Sequence, residues 1–404
     1  MILTVENETL KAEVEIYRTE AAVATASLRE SITADVHGSA TATAAQSASS
    51  TATAQDDFVK GGNGVYAKSK EVLLEHLHGA FNILCCSLSN DDAILATGGA
   101  DQFLTLSRWG RAFGGEATSE IVQTGTRIDC EAPVIAVDFA RKGHSTKFLA
   151  AGCMDGTVHV IFYETTGNNL NATQVAKDVI KHAKYVKAVA WSPDDNILAT
   201  ASADGCVQVH KLNWNLMDSK SVAMEKIQTL QLSGPVETMC FLNGHLCCYA
   251  RGSPYLNYFD VNNDYTQTKI NLNQGAGSAG FDDHVSFAVM DMASYGDYLA
   301  LATDASRNII VDWKSGRQVR NLYGHQNDGF SQPKIAWSNN GQYLYGNSQD
   351  ESIVVVWDIA SSEIVARLES HTNTVRDMYS SHSTDTLVTT SFDKKTQIWL
   401  APVD

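Results

Sequence analysis

The segment Ile197-Leu-Ala-Thr-Ala-Ser-Ala-Asp-Gly-Cys-Val-Gln-Val209 contains two short apolar runs on either side of an Asp-bearing turn. The same arrangement occurs seven times along the chain, at intervals of 43 to 54 residues. The turn positions are Asp101, Asp155, Asp204, Ser253, Asp304, Asp350 and Asp393. A repeat of this period is typical of a propeller or a solenoid, whose units bury their apolar faces only against neighbouring units.

The chain between the turns reads as short strands from about residue 70 onward. Several strands alternate with period two, and turns such as Ser192-Pro-Asp-Asp195 and Asn339-Asn-Gly341 separate them. Many short strands with a repeat of about 40 to 50 residues indicate four-stranded blades arranged in a ring. The sequence therefore predicts an all-β fold, a seven-bladed β-propeller spanning residues 70–404.

Composition and charge narrow the class of partner. The 404 residues are 44% hydrophobic and 19% charged, as expected for a soluble globular protein, and the formal net charge is −16. Binding to nucleic acid or anionic lipid begins with clustered Lys and Arg, so we expect no direct nucleic-acid partner. The runs 181–187 and 314–320 are either local basic patches or solvated loops. With no apolar segment of about 18 residues, we expect no stable membrane insertion and a cytoplasmic or nuclear location.

Eight cysteines are spread through the predicted propeller. Cys85-Cys86 and Cys247-Cys248 are adjacent pairs, whose side chains point to opposite faces of a strand and do not pair with each other. No C-x-x-C pair or short His/Cys spacing is present. We therefore expect reduced, buried thiols, no metal site and no cofactor.

Two segments precede the predicted propeller. Residues 1–37 contain an amphipathic pattern, which predicts a helix that self-associates as a coiled coil, docks on a partner or frays. Its apolar positions alternate at spacings of four and three, at Leu10, Val14, Tyr17, Ala21, Ala24 and Leu28. Residues 38–69 begin with a stretch of Ser, Thr, Ala and Gln that lacks large apolar side chains, which predicts a disordered linker.

The copies carry a second shared pattern outside the turn. In the third copy His182 precedes Asp204 by 22 residues, and in the seventh His371 precedes Asp393 by the same interval. The sixth copy contains Tyr323-Gly-His325, Asp350 and the pair Trp357-Asp358. Together these residues resemble the WD-repeat family, and the resemblance covers residues 70–404.

The resemblance implies a structural hydrogen-bond network in each blade. The turn Asp accepts a hydrogen bond from the His of the loop that leads into the blade, and the His contacts a Ser or Thr of the second strand. That hydroxyl in turn meets a Trp indole, which satisfies buried polar groups. In the seventh copy either Thr389 or Ser391 supplies the hydroxyl, since both lie on one face of the strand. The implied members are His182, Asp204, His325, Asp350, Trp357, His371, Thr389, Ser391, Asp393 and Trp399.

The two ends of the predicted propeller complement each other. Only five residues follow Trp399, too few for an outer strand in the seventh blade. Residues 70–75 read as a strand that belongs to no copy. As in many WD-repeat proteins, we expect this strand to complete the last blade and remove an exposed sheet edge.

The resemblance implies a non-enzymatic scaffold that binds other proteins. His, Ser and Asp recur at blade spacing, which is typical of architecture rather than of one catalytic set, and no known catalytic motif occurs. Alternatives are a propeller hydrolase, a ubiquitin-ligase substrate receptor, against which Ala360 counts, and a phosphoinositide-binding propeller, against which the single Arg of Tyr249-Ala-Arg-Gly252 counts. Candidate partner contacts, each of which could instead cover a neighbouring blade, are Phe81, Tyr185, Arg251, Tyr255, Phe330 and Phe392.

Overall fold

Seven four-stranded antiparallel sheets make up the described part of the chain. The structure, a computed structural model, describes residues 61–109, 125–141, 147–166, 169–218, 221–273, 286–328, 331–369 and 371–402. The predicted N-terminal helix, residues 38–60 of the predicted linker and Phe330 lie outside these ranges. Within them all regular structure is β-strand, and no helix could cross a membrane.

The strands follow one another along the chain with short connections. In order they are β1 (Ser69–Glu75), β2 (Ile83–Leu88), β3 (Ile94–Gly99), β4 (Phe103–Arg108), β5 (Thr126–Asp129), β6 (Val134–Phe139), β7 (Phe148–Cys153), β8 (Thr157–Thr166), β9 (Asn169–Lys181), β10 (Val186–Trp191), β11 (Ile197–Ser202), β12 (Cys206–Asp218), β13 (Ser221–Gln231), β14 (Val236–Leu242), β15 (His245–Ala250), β16 (Tyr255–Asp260), β17 (Thr266–Asn271), β18 (Val289–Tyr295), β19 (Tyr298–Thr303), β20 (Asn308–Asp312), β21 (Gln318–Leu322), β22 (Ile335–Trp337), β23 (Tyr343–Ser348), β24 (Ile353–Asp358), β25 (Ile364–Glu369), β26 (Val375–Ser380), β27 (Thr386–Ser391) and β28 (Lys395–Leu400).

Each sheet is one blade of a propeller, and the predicted seven-bladed all-β fold is confirmed. Blade one has the order β2-β3-β4-β5, and the next five blades repeat this order along the chain. Blade seven has the order β1-β28-β27-β26, so its outer strand comes from the start of the propeller sequence. The inner strands of all seven blades surround a central channel.

Apolar contacts between neighbouring blades form the core. One cluster, for example, joins Leu104 and Ile128 of blade one to Phe139 and Leu149 of blade two, all of them buried. Because the strands bury both faces, the inner and central strands are apolar along most of their length rather than strictly alternating. Each blade therefore depends on its neighbours for stability, as the repeat period predicts.

β1 closes the ring. It pairs antiparallel with β28 from Ser69, opposite Leu400, to Glu75, opposite Lys395. Leu74 of β1 is buried in a cluster that contains residues of both the last blade and the first, among them Val388 and Leu88. The pairing satisfies the backbone groups of β28 that would otherwise form a free sheet edge.

Residues 61–68, which composition assigns to the linker, lie along blade six. Ala67 N–H donates to Tyr345 Oη (2.9 Å), and Gly64 N–H donates to Tyr343 Oη (2.6 Å). The ring of Tyr66 is buried, with its centroid 4.7 Å from that of Tyr343. Tyr66 supplies a large apolar surface that the Ser- and Ala-rich stretch before it lacks, so the packed structure of the propeller includes residues ahead of the closing strand.

The implied network is present in blade seven. His371 Nδ1 lies 3.0 Å from Asp393 Oδ2, and His371 Nε2 lies 2.9 Å from Thr389 Oγ1. The indole N–H of Trp399 donates to the same Thr389 oxygen at 3.1 Å. Ser391 instead donates to the carbonyl of Asn373. Thr389 is therefore the network hydroxyl of this blade.

Blade three has the same core network. His182 Nε2 lies 2.8 Å from Thr200 Oγ1, and His182 Nδ1 lies 3.4 Å from Asp204 Oδ2. His210 occupies the position that Trp399 has in blade seven, so this blade lacks the indole. The His, Thr and Asp bonds form without it.

Blade six departs from the implied network. Both ring nitrogens of His325 lack a hydrogen-bond partner among the described residues, so the expected bond to Asp350 is absent. Trp357 Nε1–H donates to the carbonyl of Tyr323 (2.8 Å). Gly346 occupies the strand position of Thr389 and offers no hydroxyl. The imidazole of His325 and the indole of Trp357 therefore lack the partner that Thr389 provides in blade seven. A Cβ at Gly346 would lie 3.0 Å from the Trp357 ring, so the indole fills that space.

Candidate functional site

The Asp turns and the lead-in loops, meaning the loops that precede the inner strands, share one face of the ring. Backbone bonds join the two in successive blades, such as Ala203 N–H to Tyr185 O (3.1 Å) and Arg251 N–H to Pro235 O (2.9 Å). We call this side of the propeller the turn face. Its surface is set by a rigid frame of backbone hydrogen bonds, which suits the presentation of side chains to a partner.

The turn residues explain why Asp recurs and why Ser253 replaces it in blade four. Asp204 Oδ1 accepts the N–H of Cys206, two residues further on, at 2.8 Å. Ser253 Oγ accepts the N–H of Tyr255 in the same way, at 3.1 Å. A short oxygen-bearing side chain is what the turn requires, and Asp and Ser both provide it.

Bulges occur in six inner strands, and those at Ile135, Lys187 and Glu237 bring a side chain to the central channel. In six inner strands the pairing register shifts after the first residue, which leaves one extra residue. A bulge bends its strand and redirects the extra side chain. These residues are Leu84, Ile135, Lys187, Glu237, Met290 and Arg376.

The channel is a cavity of about 470 Å³ whose charged side chains are paired. Lys334 Nζ lies between Asp377 Oδ1 (3.3 Å) and Asp291 Oδ1 (3.7 Å). Nearer the turn face, Glu237 contacts Lys187 and accepts a bond from Arg251 Nε at 2.8 Å. The pairs of Lys334 with Asp377 and Asp291 and the pair of Lys187 with Glu237 each join different blades, so these channel charges serve the frame of the ring.

The same carboxylates also accept hydrogen bonds from backbone N–H groups of neighbouring blades, which further links the blades of the ring. Asp377 Oδ2 accepts the N–H of Cys86 in blade one (2.8 Å), and Asp291 Oδ2 accepts the N–H of Ile335 in blade six (3.1 Å). Burial raises the pKa of Asp291. Burial also favours the neutral amine of Lys334, but the carboxylates of Asp291 and Asp377 outweigh this and raise the pKa of Lys334. Lys334 therefore stays charged and offsets part of the negative charge of the two carboxylates.

Three of the exposed apolar side chains on the turn face come from consecutive blades, whereas Tyr323 lies apart from them on blade six. Phe81 of blade one, Met154 of blade two and Tyr185 of blade three are 54%, 49% and 37% exposed. Met154 and Tyr185 lie on adjacent backbones: a Cβ on Gly156, in the turn of Met154, would lie 2.7 Å from the carbonyl of Lys184, next to Tyr185. We call Phe81, Met154 and Tyr185 the apolar sector.

The other sequence-predicted contact residues are placed as follows. Arg251 is exposed on blade four and is linked to the apolar sector through Glu237 and Lys187, whose ammonium lies 5.8 Å from the ring of Tyr185. Tyr255 is half-buried with Lys269 over its ring, and Phe392 is half-buried on blade seven. The structure thus links Tyr185 to Arg251, and Phe81 is exposed separately on blade one. Tyr255 and Phe392 are half-buried.

Met154 is not among the sequence-predicted contact residues, because the typical composition of interface hot spots points to Tyr, Trp and Arg first. It precedes the turn residue Asp155, just as Phe392 precedes Asp393. The position directly before the turn residue is therefore the sequence signal that could have identified Met154.

The His, Thr and Asp groupings do not form a catalytic site. The hydroxyls of Thr97, Thr200 and Thr389 bond to the lead-in histidines and are fully buried. A nucleophile must be exposed to its substrate, with oxyanion donors nearby. In these blades the grouping holds a loop to a strand.

Comparison with known families agrees with this architecture. The family model described as "WD domain, G-beta repeat" matches residues 69–106, 174–211 and 362–399. Each matched range runs from the outer strand of one blade through the three inner strands of the next. This offset of one strand is why the first matched range begins at β1, the strand that closes the ring. Propellers of this kind are commonly protein-interaction scaffolds and generally non-enzymatic.

Proposed function

Because the chain belongs to the WD-repeat family of β-propellers, we propose that it is a non-enzymatic scaffold that binds other proteins through its turn face and its N-terminal arm. The observation that supports the turn face is the apolar sector. Three large apolar side chains exposed on adjacent blades of a rigid ring are well suited to become buried against a partner.

Charged residues surround the apolar sector, as they surround the apolar centre of many protein interfaces. Charged pairs flank it at the same turns: Arg127 contacts Asp101 on blade one, and Lys181 Nζ lies 2.7 Å from Asp155 Oδ2 on blade two. Interfaces commonly combine an apolar centre with a charged, solvent-exposed rim. The proposed partner surface is therefore apolar at its centre and mixed in charge at its edge.

The triple variant Phe81→Ala, Met154→Ala and Tyr185→Ala is expected to bind a specific set of partner proteins more weakly, so that less of each co-purifies with the chain. Loss of aromatic anchors at an interface centre commonly costs more than about 1.4 kcal/mol, which corresponds to about tenfold in affinity. The measurement is quantitative mass spectrometry of proteins captured with the full chain and with the variant, side by side.

A matched control comes from the outer strands. Leu73, Ile227 and Val365 are 42%, 39% and 42% exposed, but they lie on the outer edges of blades seven, three and six. Their replacement by alanine should leave the captured proteins unchanged. Equal capture by both triple variants would show that the apolar sector binds no partner.

The N-terminal arm is a second proposed contact, based on the apolar spacing of residues 10–28. In the full chain, the double variant Val14→Lys and Tyr17→Lys places two charges on the predicted apolar seam. It should abolish self-association, or the binding of any partner that depends on the arm. Ala12→Lys with Thr19→Lys adds the same charge on the opposite side of the predicted helix. Light scattering for molar mass and the same capture assay test both, and identical results for the two variants would rule out the arm as a contact.

A further inference from the structure

Blade two replaces the His and Thr of the blade network with a different set of side chains. Cys130 directly follows the outer strand β5, the position that His182 has after β9. Ala151 occupies the strand position of Thr200, so the hydroxyl is missing. The network of blades one, three and seven therefore has no counterpart in blade two.

Two further side chains fill the space left by that change. His159 on β8 pairs directly with Ala151 on β7, so both project from the same face of the blade. Cys153 lies two residues after Ala151 and projects from that face as well. Cys130, Cys153 and His159 thus converge from a loop and two strands.

The convergence is close and completely enclosed. One potential ligand atom from each of the three residues lies within 4.8 Å of the other two. All three side chains are buried. The imidazole is oriented by its Nε2–H, which donates to the carbonyl of Cys130 at 3.2 Å. This bond leaves the lone pair of the ring on Nδ1, and such a bond to a carbonyl is the usual second contact of a metal-binding histidine.

We propose that Cys130, Cys153 and His159 form a binding site for a thiophilic divalent cation, with Zn²⁺ as the best match. Two sulfurs and one imidazole nitrogen form the soft ligand set that Zn²⁺ prefers over oxygen-rich sites. Three protein ligands leave a fourth position for water or another small donor.

The spacing of the donors fits such an ion. Zn–S bonds of about 2.3 Å and Zn–N bonds of about 2.0 Å in a tetrahedron require donor separations of about 3.5 to 3.8 Å. The three atoms, all within 4.8 Å of one another, need to move by only about 1 Å or less. Cys130 belongs to a lead-in loop, which can supply this movement.

The charge balance also suits a buried ion. A divalent ion that replaces the protons of two thiols leaves the net charge of the enclosed site unchanged. Burial of the ion therefore adds no uncompensated charge to the core.

The site lies directly beneath the turn face. Glu131 and Met154, the neighbours of Cys130 and Cys153 in sequence, are both exposed there. A bound ion would join the lead-in loop of blade two to strands β7 and β8. It would thereby fix the backbone next to Met154, a member of the apolar sector.

The test uses the full chain, purified under reducing conditions and titrated with Zn²⁺ and Co²⁺. We expect about one ion per chain and a thiolate-to-cobalt absorption band. Cys130→Ser, Cys153→Ser and His159→Gln should each weaken Zn²⁺ binding by at least about 100-fold, beyond the 10- to 100-fold loss from removing an outer-shell partner. Cys206→Ser changes a thiol outside the cluster and should bind Zn²⁺ like the unaltered chain.

X-ray absorption of the Zn²⁺-loaded, unaltered chain provides a test that does not depend on variant folding. Two sulfur neighbours and one imidazole nitrogen at the ion would support the site. Three results would overturn it: no stoichiometric binding by the reduced chain, a different set of neighbours, or unchanged affinity in folded variants of the three residues. A Cys130–Cys153 disulfide that persists under the purification conditions would overturn it as well, because the thiolates would then be unable to bind.

Discussion

Replacing Leu74 with aspartate is expected to destabilise the propeller by more than about 4 kcal/mol, enough to open the ring between its first and last blades. Leu74 is 1% exposed and packs against Val388 and Ile398 of the last blade and Leu95 of the first. Removing a buried Leu forfeits about 1.5 to 3 kcal/mol of transfer free energy. The new carboxyl would be either ionised in an apolar cluster or neutralised, and both states cost further free energy.

The neighbouring residue supplies the control. Leu73 lies on the same strand but is 42% exposed, so Leu73→Asp should change the free energy of unfolding by less than about 1 kcal/mol. Urea unfolding followed by circular dichroism measures both. Deletion of residues 70–76 should likewise destabilise the ring, whereas deletion of residues 1–60 should not. Similar midpoints for the two Leu variants would mean that β1 contributes little to ring closure.

The fold was predictable because its signal is repeated seven times. Any single copy is ambiguous, but a turn at Asp101 and again at each position to Asp393 sets a period that few architectures share. The choice between Thr389 and Ser391 needed coordinates, since period two places both on one face. The coordinates separate them through the indole of Trp399, which donates only to the nearer hydroxyl.

Features that depend on contacts between strands were not readable from spacing. His325 looks like a network histidine, and only the pairing of strands shows that Gly346 stands where its hydroxyl partner should be. The cluster of Cys130, Cys153 and His159 likewise has no short motif, because a loop and two strands supply one residue each. In both cases the decisive neighbour comes from another strand.

His325→Phe is expected to make the protein more stable in mild acid. Burial lowers the pKa of His325 to about 4, and both ring nitrogens lack partners among the described residues. In the unfolded chain the imidazole titrates near 6.5, so between about pH 6.5 and 4 the unfolded state binds a proton that the folded state does not. Stability therefore falls as the pH drops through this window, by up to about 3 kcal/mol for this residue.

Phenylalanine removes this proton-linked loss and keeps the ring that packs edge-on against Trp357, whose centroid lies 5.2 Å away. At pH 4.5 the variant should be about 2 kcal/mol more stable than the unaltered chain, with little difference at pH 7.5. Some pH dependence should remain, because burial also lowers the pKa of His210 to about 4. Urea unfolding at a series of pH values measures the difference, and Tyr323→Phe, an exposed change nearby, serves as control. If the curves of the two variants run parallel from pH 7.5 to 4.5, the imidazole of His325 is not held neutral in the folded protein.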